Sequence, residues 1–304
     1  MNRSIKIATL VVATLGFAAP HAAASSPPSD SGTPDDTAAA TPPERIVSLS
    51  PAATEVLFAI GAGDQVVAVD NYSNFPATAP ITELSAFEPN IEAIADYEPD
   101  LVVVDATNPE LITTLTELGI EVHEAPAPAD LDGLYAEIEQ LGDATGHRDE
   151  SDVLVADMRT EIDEILTRVP ETDEPLTFYH ELDVMLYTVS SNTFIGQLYA
   201  LAGLENVADA ADSSLSSDYP QLSAEFLIDA DPDLVFLANT KCCGENAETF
   251  GARSGFEAMA AVRNGNVVLL DDDIASRPGP RVVELFATIV DAVVVAVDEE
   301  LAAA

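Results

Sequence analysis

A repeated segment constrains this chain more than any other feature of its sequence. The stretch NIEAIADYEPDLVVVD has a close match later in the chain, SAEFLIDADPDLVFLA, so that Glu92–Val104 aligns with Glu225–Leu237. Each copy is typical of a short helix, a proline stop and a continuously apolar strand. Such a strand suits a parallel sheet that is covered on both faces. The repeat therefore predicts two similar α/β halves.

Each half continues the alternation of strands and helices. The stretch RIVSLSPAATEVLFAIGAGDQVVAV, Arg45–Val69, is typical of a strand, a helix beginning at Thr54 and Glu55, a glycine stop and a second strand. In the other half we predict a strand at Leu176–Tyr179, followed by the amphipathic helix of TFIGQLYALAGLENV. This alternation predicts a parallel sheet in each half.

The segment between the two halves predicts one long helix. Apolar residues recur there at helical spacing, acidic residues crowd its start and Arg168 lies near its end, which suits the helix dipole. We therefore predict an α/β fold with two Rossmann-like lobes, joined by a single long backbone helix, and a ligand cleft between the lobes. One continuous doubly wound sheet is the alternative.

The amino terminus predicts a processing signal and a tether. Residues 1–24 combine a short basic region, an apolar run too short to span a bilayer and small residues that suit cleavage, which is typical of a signal peptide. Residues 25–43 are rich in Pro, Ser, Thr and Asp and predict a disordered linker. The amino-terminal lobe then occupies 44–146, the bridging helix 147–170 and the carboxy-terminal lobe 171–304. We expect the mature protein to be soluble in the periplasm or outside the cell.

The chain is strongly acidic, with a formal net charge of -43. Such a surface repels nucleic acid and anionic lipid, so neither is expected as a partner. The two cysteines, Cys242 and Cys243, are adjacent. A disulfide framework is thereby excluded, and the pair either closes as a vicinal disulfide or stays as thiols.

The common enzyme motifs are missing from the sequence. There is no G-x-S-x-G elbow, no P-loop and no H-E-x-x-H. His123 and His147 are expected at the surface, and pairs of acidic residues mean little among 54. We therefore predict a protein without catalytic residues, intrinsic cofactor or metal site.

Aromatic and polar residues follow several predicted strands. Ligands of open α/β sheets bind beyond the carboxyl ends of the strands, and two facing lobes bring both sets of ends to one cleft. The candidate ligand-binding residues are Tyr72, Asn74, Phe75, Phe87, His180, Tyr187, Tyr219, Asp273 and Arg277. Aromatic walls with a few polar groups suit a large planar ligand. His180 either satisfies a buried backbone group or offers an axial ligand to iron or cobalt.

Several motifs carry a family resemblance. The opening stretch from Arg45, with LYALAGLENVAD and RPGPRVVE, resembles in order and spacing the class III periplasmic substrate-binding proteins of ABC importers, which are receptors for cobalamin, haem and ferric siderophores. The similarity extends to the last helix and is closest to the cobalamin receptors. It implies two lobes with modest closure on binding, and a monomer.

The resemblance also implies roles for single residues. Glu92 and Glu225 match the surface glutamate of each lobe that docks onto arginines of the membrane permease, and the repeat makes them equivalent, as docking onto a two-fold symmetric permease dimer requires. Tyr72 and Tyr219 match aromatic wall positions of the cobalamin receptor, and Phe87 approximates a third after a shift of one residue. Its polar positions near the floor of the pocket are matched by Asp273 and Arg277.

Some positions depart from the cobalamin receptor. Trp is absent, Phe75 replaces a Tyr, Glu181 stands where an aromatic residue is expected, and the loop KCCGEN has no counterpart. These departures concern the identity of the ligand and not the class of receptor.

The sequence thus predicts an exported receptor that delivers a metal chelate, a corrinoid such as cobalamin first, to an ABC importer. Anionic ferric siderophores are usually bound by several basic side chains, and the basic residues expected at this cleft are Arg277 with Lys241 or Arg281. The charge of the cleft therefore favours a near-neutral macrocycle as the ligand. A receptor for haem or a ferric siderophore is the near alternative. Haem needs an axial Tyr or His ligand, and His180 is a candidate for that ligand. An exported enzyme on the same scaffold and a sensory receptor are alternatives of other classes.

Overall fold

The computed structural model of this protein describes residues 41–211 and 217–303. The predicted signal peptide, 1–24, and the predicted linker up to residue 40 lie outside the described residues. Within the described ranges, no helix is both long and apolar enough to cross a membrane.

The amino-terminal lobe is a four-stranded sheet with helices packed around it. All of its strand pairs are parallel, and the strand order is β2-β1-β3-β4. The elements in chain order are β1 (Ile46–Ser48), α1 (Pro51–Ala59), β2 (Val66–Val69), α2 (Ile91–Ala95), β3 (Leu101–Val104), α3 (Pro109–Glu117), β4 (Glu121–Glu124) and α4 (Leu131–Thr145).

Helix α1 begins earlier than the sequence analysis predicted. The Ser50 side chain accepts a hydrogen bond from the Ala53 N–H at 3.3 Å, and Pro51 occupies the first turn. The predicted start at Thr54 and Glu55 is therefore wrong, because Ser50 and Pro51 already form the cap and first turn. As a result, Glu55 lies inside the helix and is only 3% exposed.

A single helix, α5 (Arg148–Leu166), joins the two lobes and is shorter than the predicted 147–170. It packs along α4, where a β-carbon at Gly142 would overlap Ser151 Oγ, so a glycine allows the two helices to touch. On its other side α5 packs along the last helix of the chain. One hydrophobic core includes residues of both lobes and of α5, so the bridging helix is packed against both lobes.

The carboxy-terminal lobe repeats the topology of the first. Its four strands are parallel in the order β6-β5-β7-β8, so β5 takes the place of β1 and β7 that of β3. The two sheets are separate, which rules out one continuous sheet. The elements in chain order are β5 (Thr177–Glu181), α6 (Phe194–Leu201), β6 (Glu205–Asn206), α7 (Ala224–Ala230), β7 (Leu234–Leu237), α8 (Thr240–Cys243), α9 (Ala247–Gly251), α10 (Ala260–Asn264), β8 (Val267–Leu269), α11 (Asp272–Ser276) and α12 (Val282–Ala303).

The internal repeat occupies matching places in the two lobes. Asn90 caps α2 by accepting from the Ala93 N–H at 3.1 Å, and Ser223 caps α7 in the same way through the Phe226 N–H at 3.1 Å. Both following strands, β3 and β7, are buried along their whole length. The predicted pair of α/β lobes is confirmed.

Candidate ligand cleft

A cavity of about 480 Å³ lies between the lobes, at the carboxyl ends of the amino-terminal strands. Residues that follow β1, β2, β3 and β4 form most of its wall, and Asp273 and Ser276–Pro278 close it from the other lobe. This is the edge at which open parallel sheets bind ligands.

A smaller cavity of about 120 Å³ adjoins the first. The two cavities share Ala127, Pro128 and Ser276–Pro278 in their walls, and Tyr219 lines the smaller one. Tyr72 lines the larger one, so tyrosines from opposite lobes flank the same segment, Ser276–Pro278. The structure thus brings these two predicted residues to one cleft.

Two exposed aromatic rings form one wall of the larger cavity. Tyr72 and Phe87 meet edge to face with ring centroids 5.7 Å apart, and Phe87 is 79% exposed. The two rings give this wall an apolar surface that is open to solvent.

Arg277 lies at the boundary between the lobes with its side chain nearly buried. Its Nη1 donates to Asn74 Oδ1 at 2.7 Å, and its Nη2 donates to the Tyr72 carbonyl at 3.0 Å and to Asp273 Oδ1 at 2.7 Å. Asn74 Nδ2 also donates to Asp273 Oδ2 at 3.3 Å. The predicted residues Asn74, Asp273 and Arg277 therefore link the lobes to each other at the edge of the cavity.

Beside this link lies a buried ion pair that the sequence analysis missed. Arg281 Nε donates to Glu55 Oε2 at 2.8 Å and its Nη2 donates to Glu55 Oε1, while Arg277 Nη1 lies 3.5 Å from Glu55 Oε1. The hydrogen bonds that Arg281 donates to Glu55 raise the pKa of Arg281. Phe75 stacks on the same guanidinium, 4.1 Å from ring centroid to Cζ. The sequence did contain one signal for this pair: Glu55 lies among apolar residues of its helix and has no basic residue near it in the chain. A buried glutamate of this kind indicates a basic partner from elsewhere in the chain.

Asp70 is a second residue that the sequence analysis did not single out. It follows β2 directly, lines the larger cavity and is 1% exposed. Its Oδ1 accepts from the Ser73 N–H at 3.0 Å, and its Oδ2 has no hydrogen-bond partner among the described residues. Burial raises the pKa of Asp70, against the lowering effect of the hydrogen bonds from Ser73.

The larger cavity is negatively charged. Its wall includes the carboxylates of Asp70, Asp105, Glu137 and Asp273, and among its described residues Arg277 is the one basic side chain. Because Arg277 already binds Asp273 and lies close to Glu55, the cavity presents little positive charge to a ligand.

His180 is not brought to the cleft. It lies inside β5, which extends to Glu181 and not to the predicted Tyr179, so the ring is fully buried in the carboxy-terminal lobe. Its Nδ1 lies 2.8 Å from the Tyr199 hydroxyl, and burial lowers its pKa from 6.5 to about 4. The predicted place after the strand is wrong, and His180 is a core residue. No group of three or more His, Cys, Asp or Glu suited to a metal ion occurs in the described part of the chain.

Tyr187 follows the turn after β5 and lines neither of the two cavities of the cleft. It is 40% exposed and is held by an isolated antiparallel bridge to Gln221. The departure at Glu181 also has a local explanation, since its buried carboxylate accepts two hydrogen bonds of 2.7 Å from Arg253.

The adjacent cysteines lie at the end of the short helix α8, which follows β7. Cys242 and Cys243 are joined as a vicinal disulfide. Lys241 Nζ donates to Asp271 Oδ1 at 2.6 Å and to Asp273 Oδ2 at 3.1 Å, and the bond to Asp271 raises the pKa of Lys241. The second basic residue expected near the cleft is therefore already paired.

The glutamates expected to dock on a permease occupy equivalent surface positions. Glu92 lies in the first turn of α2 and Glu225 in the first turn of α7, and both are exposed. They lie at the start of the repeated helix in each lobe.

Comparisons with known proteins agree with this architecture. A model of the family described as periplasmic binding protein matches residues 46–274. The chain is 33% identical over 265 residues to a cobalamin-binding protein of Halobacterium salinarum, covering 82% of this chain and 69% of the relative.

Solved structures give the same result. The periplasmic vitamin B12 binding protein of Vibrio cholerae superposes with a TM-score of 0.68 at 26% identity, over 84% of this chain and 98% of that one. The apo form of a periplasmic heme-binding protein from Roseiflexus sp. RS-1 superposes with a TM-score of 0.70 at 26% identity, over 82% of this chain and 99% of that one. The chain therefore belongs to the periplasmic binding protein family.

Proposed function

We propose that this protein is an exported receptor that binds a corrinoid in the cleft between its lobes and delivers it to an ABC importer. The observation that carries the proposal is an aromatic-walled cavity whose one described basic side chain, Arg277, is already bound to Asp273. A cavity of this kind suits a large macrocycle without net negative charge. The relatives named for cobalamin and vitamin B12 support the same ligand class.

The ligand-binding residues in this proposal are those that line the two adjoining cavities. Tyr72 and Phe87 contact one face of the ligand, and Tyr219 contacts it from the other lobe. Asp273 and Arg277, with Asn74 and Phe75 beside them, hold the two lobes together at the floor of the site.

Delivery requires a docking surface on each lobe. Glu92 and Glu225 are exposed, equivalent under the internal repeat and placed on separate lobes, so they suit arginines on the two halves of a permease dimer. The receptor would act as a monomer, released into the periplasm or the extracellular space after cleavage of residues 1–24.

A haem receptor is the second candidate, because a heme-binding protein superposes as well as the vitamin B12 binding protein does. Haem carries two propionates, and the carboxylates of Asp70 and Asp105, which form no ion pair within the described residues, oppose an anionic ligand. This charge is the reason to place the corrinoid first.

Absorbance titration of the purified mature protein tests the proposal. Cyanocobalamin, haemin and a ferric catecholate chelate are each added, and binding is followed by the ligand's own visible spectrum and by equilibrium dialysis. Stoichiometric binding of cyanocobalamin without chemical change is the expected result. Binding of haemin alone, or conversion of the corrinoid to a product, would assign the second candidate or an enzyme instead.

A further inference from the structure

Asp70 occupies a turn in the wall of the larger cavity. Its N–H donates to the Ser48 carbonyl at 3.1 Å, which keeps the chain on the edge of β1 for one residue beyond β2. The chain then turns, and the Ser73 N–H donates to Asp70 Oδ1 at 3.0 Å. The carboxylate is thus fixed by its own backbone and by the turn.

One of the two oxygens of this carboxylate lacks a hydrogen bond within the described part of the chain. Oδ2 is buried and has no partner among the described residues. Leaving a buried carboxylate oxygen without a donor costs free energy, and such groups in native structures need an explanation. Because Asp70 lines the cavity, a donor supplied by the ligand is the explanation that the location favours.

The nearest positive charge does not fill that role. Arg277 lies close enough to lower the pKa of Asp70, against the larger raising effect of burial. Its Nη1 and Nη2 nevertheless donate to Asn74, the Tyr72 carbonyl and Asp273. An anionic ligand group next to Asp70 would therefore be repelled by the carboxylate, and Arg277 would not compensate because it already donates to other groups.

We propose that Asp70 is a specificity-determining residue, which accepts a hydrogen bond from a neutral N–H donor of the ligand, such as a carboxamide, and disfavours a carboxylate at that place. This inference rests on the proposed function and deepens it. Corrinoids carry carboxamides around the macrocycle, whereas haem carries carboxylates. The choice between them is then made at Asp70 and not by the shape of the cavity alone.

The substitution Asp70→Asn tests the inference because it keeps the shape of the side chain. Asn retains an oxygen for the Ser73 N–H and places an NH₂ where Oδ2 was, so a donor replaces an acceptor. The probes are cyanocobalamin and the corrinoid heptacarboxylate in which every peripheral carboxamide is a carboxylic acid. We expect the ratio of their dissociation constants to shift by about tenfold or more toward the heptacarboxylate.

Asp157→Asn is the matched control, because it removes one negative charge from an exposed position on α5, far along the chain from the cavity wall. It should leave the ratio unchanged, and thermal unfolding should show both variants folded. If wild type binds cyanocobalamin and Asp70→Asn leaves the ratio unchanged, the inference is wrong and the proposed function stands. Preference of wild type for the heptacarboxylate over cyanocobalamin also overturns the inference alone, because both probes are corrinoids. Preference of wild type for haemin, or binding of no probe, overturns both the inference and the proposed function.

Discussion

Glu55 of the amino-terminal lobe accepts two hydrogen bonds from the guanidinium of Arg281 in the carboxy-terminal lobe. The carboxylate is 3% exposed as a residue, and Phe75 covers the guanidinium. A bidentate, buried pair of this kind fixes geometry as well as charge. It joins the two lobes through a side-chain contact that does not involve the bridging helix α5.

Loss of Glu55 should strongly destabilise the protein. Glu55→Ala leaves Arg281 buried without its carboxylate, and breaking a buried ion pair on one side costs about 3–5 kcal/mol of unfolding free energy. Urea denaturation followed by circular dichroism measures this loss. Asp132→Asn is the control, because it breaks an exposed ion pair with Arg159 and should cost less than about 1 kcal/mol. Equal effects of the two variants would contradict the role assigned to Glu55.

His180 should make stability depend on pH in a defined window. Burial lowers its pKa from 6.5 to about 4, so the folded state holds the neutral ring while the unfolded state takes up a proton below 6.5. Above pH 6.5 the ring is neutral in both states and does not lower the unfolding free energy. As the pH falls from 6.5 toward 4, protonation of the unfolded state lowers the unfolding free energy by about 3 kcal/mol in total.

The measurement compares the unfolding free energy of wild type and His180→Gln between pH 7 and 4. Carboxylates titrate in both proteins, so the difference between the two curves isolates His180. The curve of wild type should fall more steeply. Parallel curves would mean that the ring is protonated in the folded protein or is not buried.

Tyr72 should contribute to ligand affinity through its ring. Tyr72→Ala removes one wall of the larger cavity and should weaken cyanocobalamin binding by roughly tenfold, whereas Tyr72→Phe keeps the ring and should bind within about threefold of wild type. Tyr187→Ala is the matched comparison, since Tyr187 is similarly exposed but lines neither cavity of the cleft. A larger effect at Tyr187 would move the site toward the turn after β5.

Glu92 and Glu225 should be needed for uptake and not for binding. In cells that express the cognate permease, the double variant Glu92→Ala, Glu225→Ala should abolish corrinoid uptake while the purified receptor keeps its dissociation constant. Glu117→Ala with Glu248→Ala removes two other exposed acidic side chains, one from each lobe, and should transport normally. Normal uptake by the first double variant would show that docking uses another surface.

The vicinal disulfide should add little to global stability. A cross-link between neighbouring residues closes almost no chain, so it restricts the unfolded state very little. Reduction should therefore change the unfolding free energy by less than about 1 kcal/mol. The urea midpoint with and without a phosphine reductant measures the change, and Cys242→Ser with Cys243→Ser should not respond to the reductant. A large loss specific to wild type would give the disulfide a structural role.

Local patterns in the sequence were sufficient to predict the architecture. The buried strands β3 and β7, the two parallel sheets and the long helix between them follow from apolar runs, helical spacing and capping residues. These signals act over a few residues, so they can be recognised without knowing the tertiary structure. The same patterns placed Tyr72, Phe87, Asp273 and Arg277 beyond strand ends, where the cavity is found.

Contacts between the lobes were decided only by tertiary structure. Glu55 and Arg281 are 226 positions apart, and nothing near either residue in the chain indicates the other. The burial of His180 depended on the extension of β5 by two residues beyond Tyr179. The unpartnered oxygen of Asp70 depended on how a turn packs against β1. Spacing along the chain determines which residues reach the edge of a sheet. Which of them meet, and which are left unpaired, depends on how the two lobes are set against each other by α5 and their shared core.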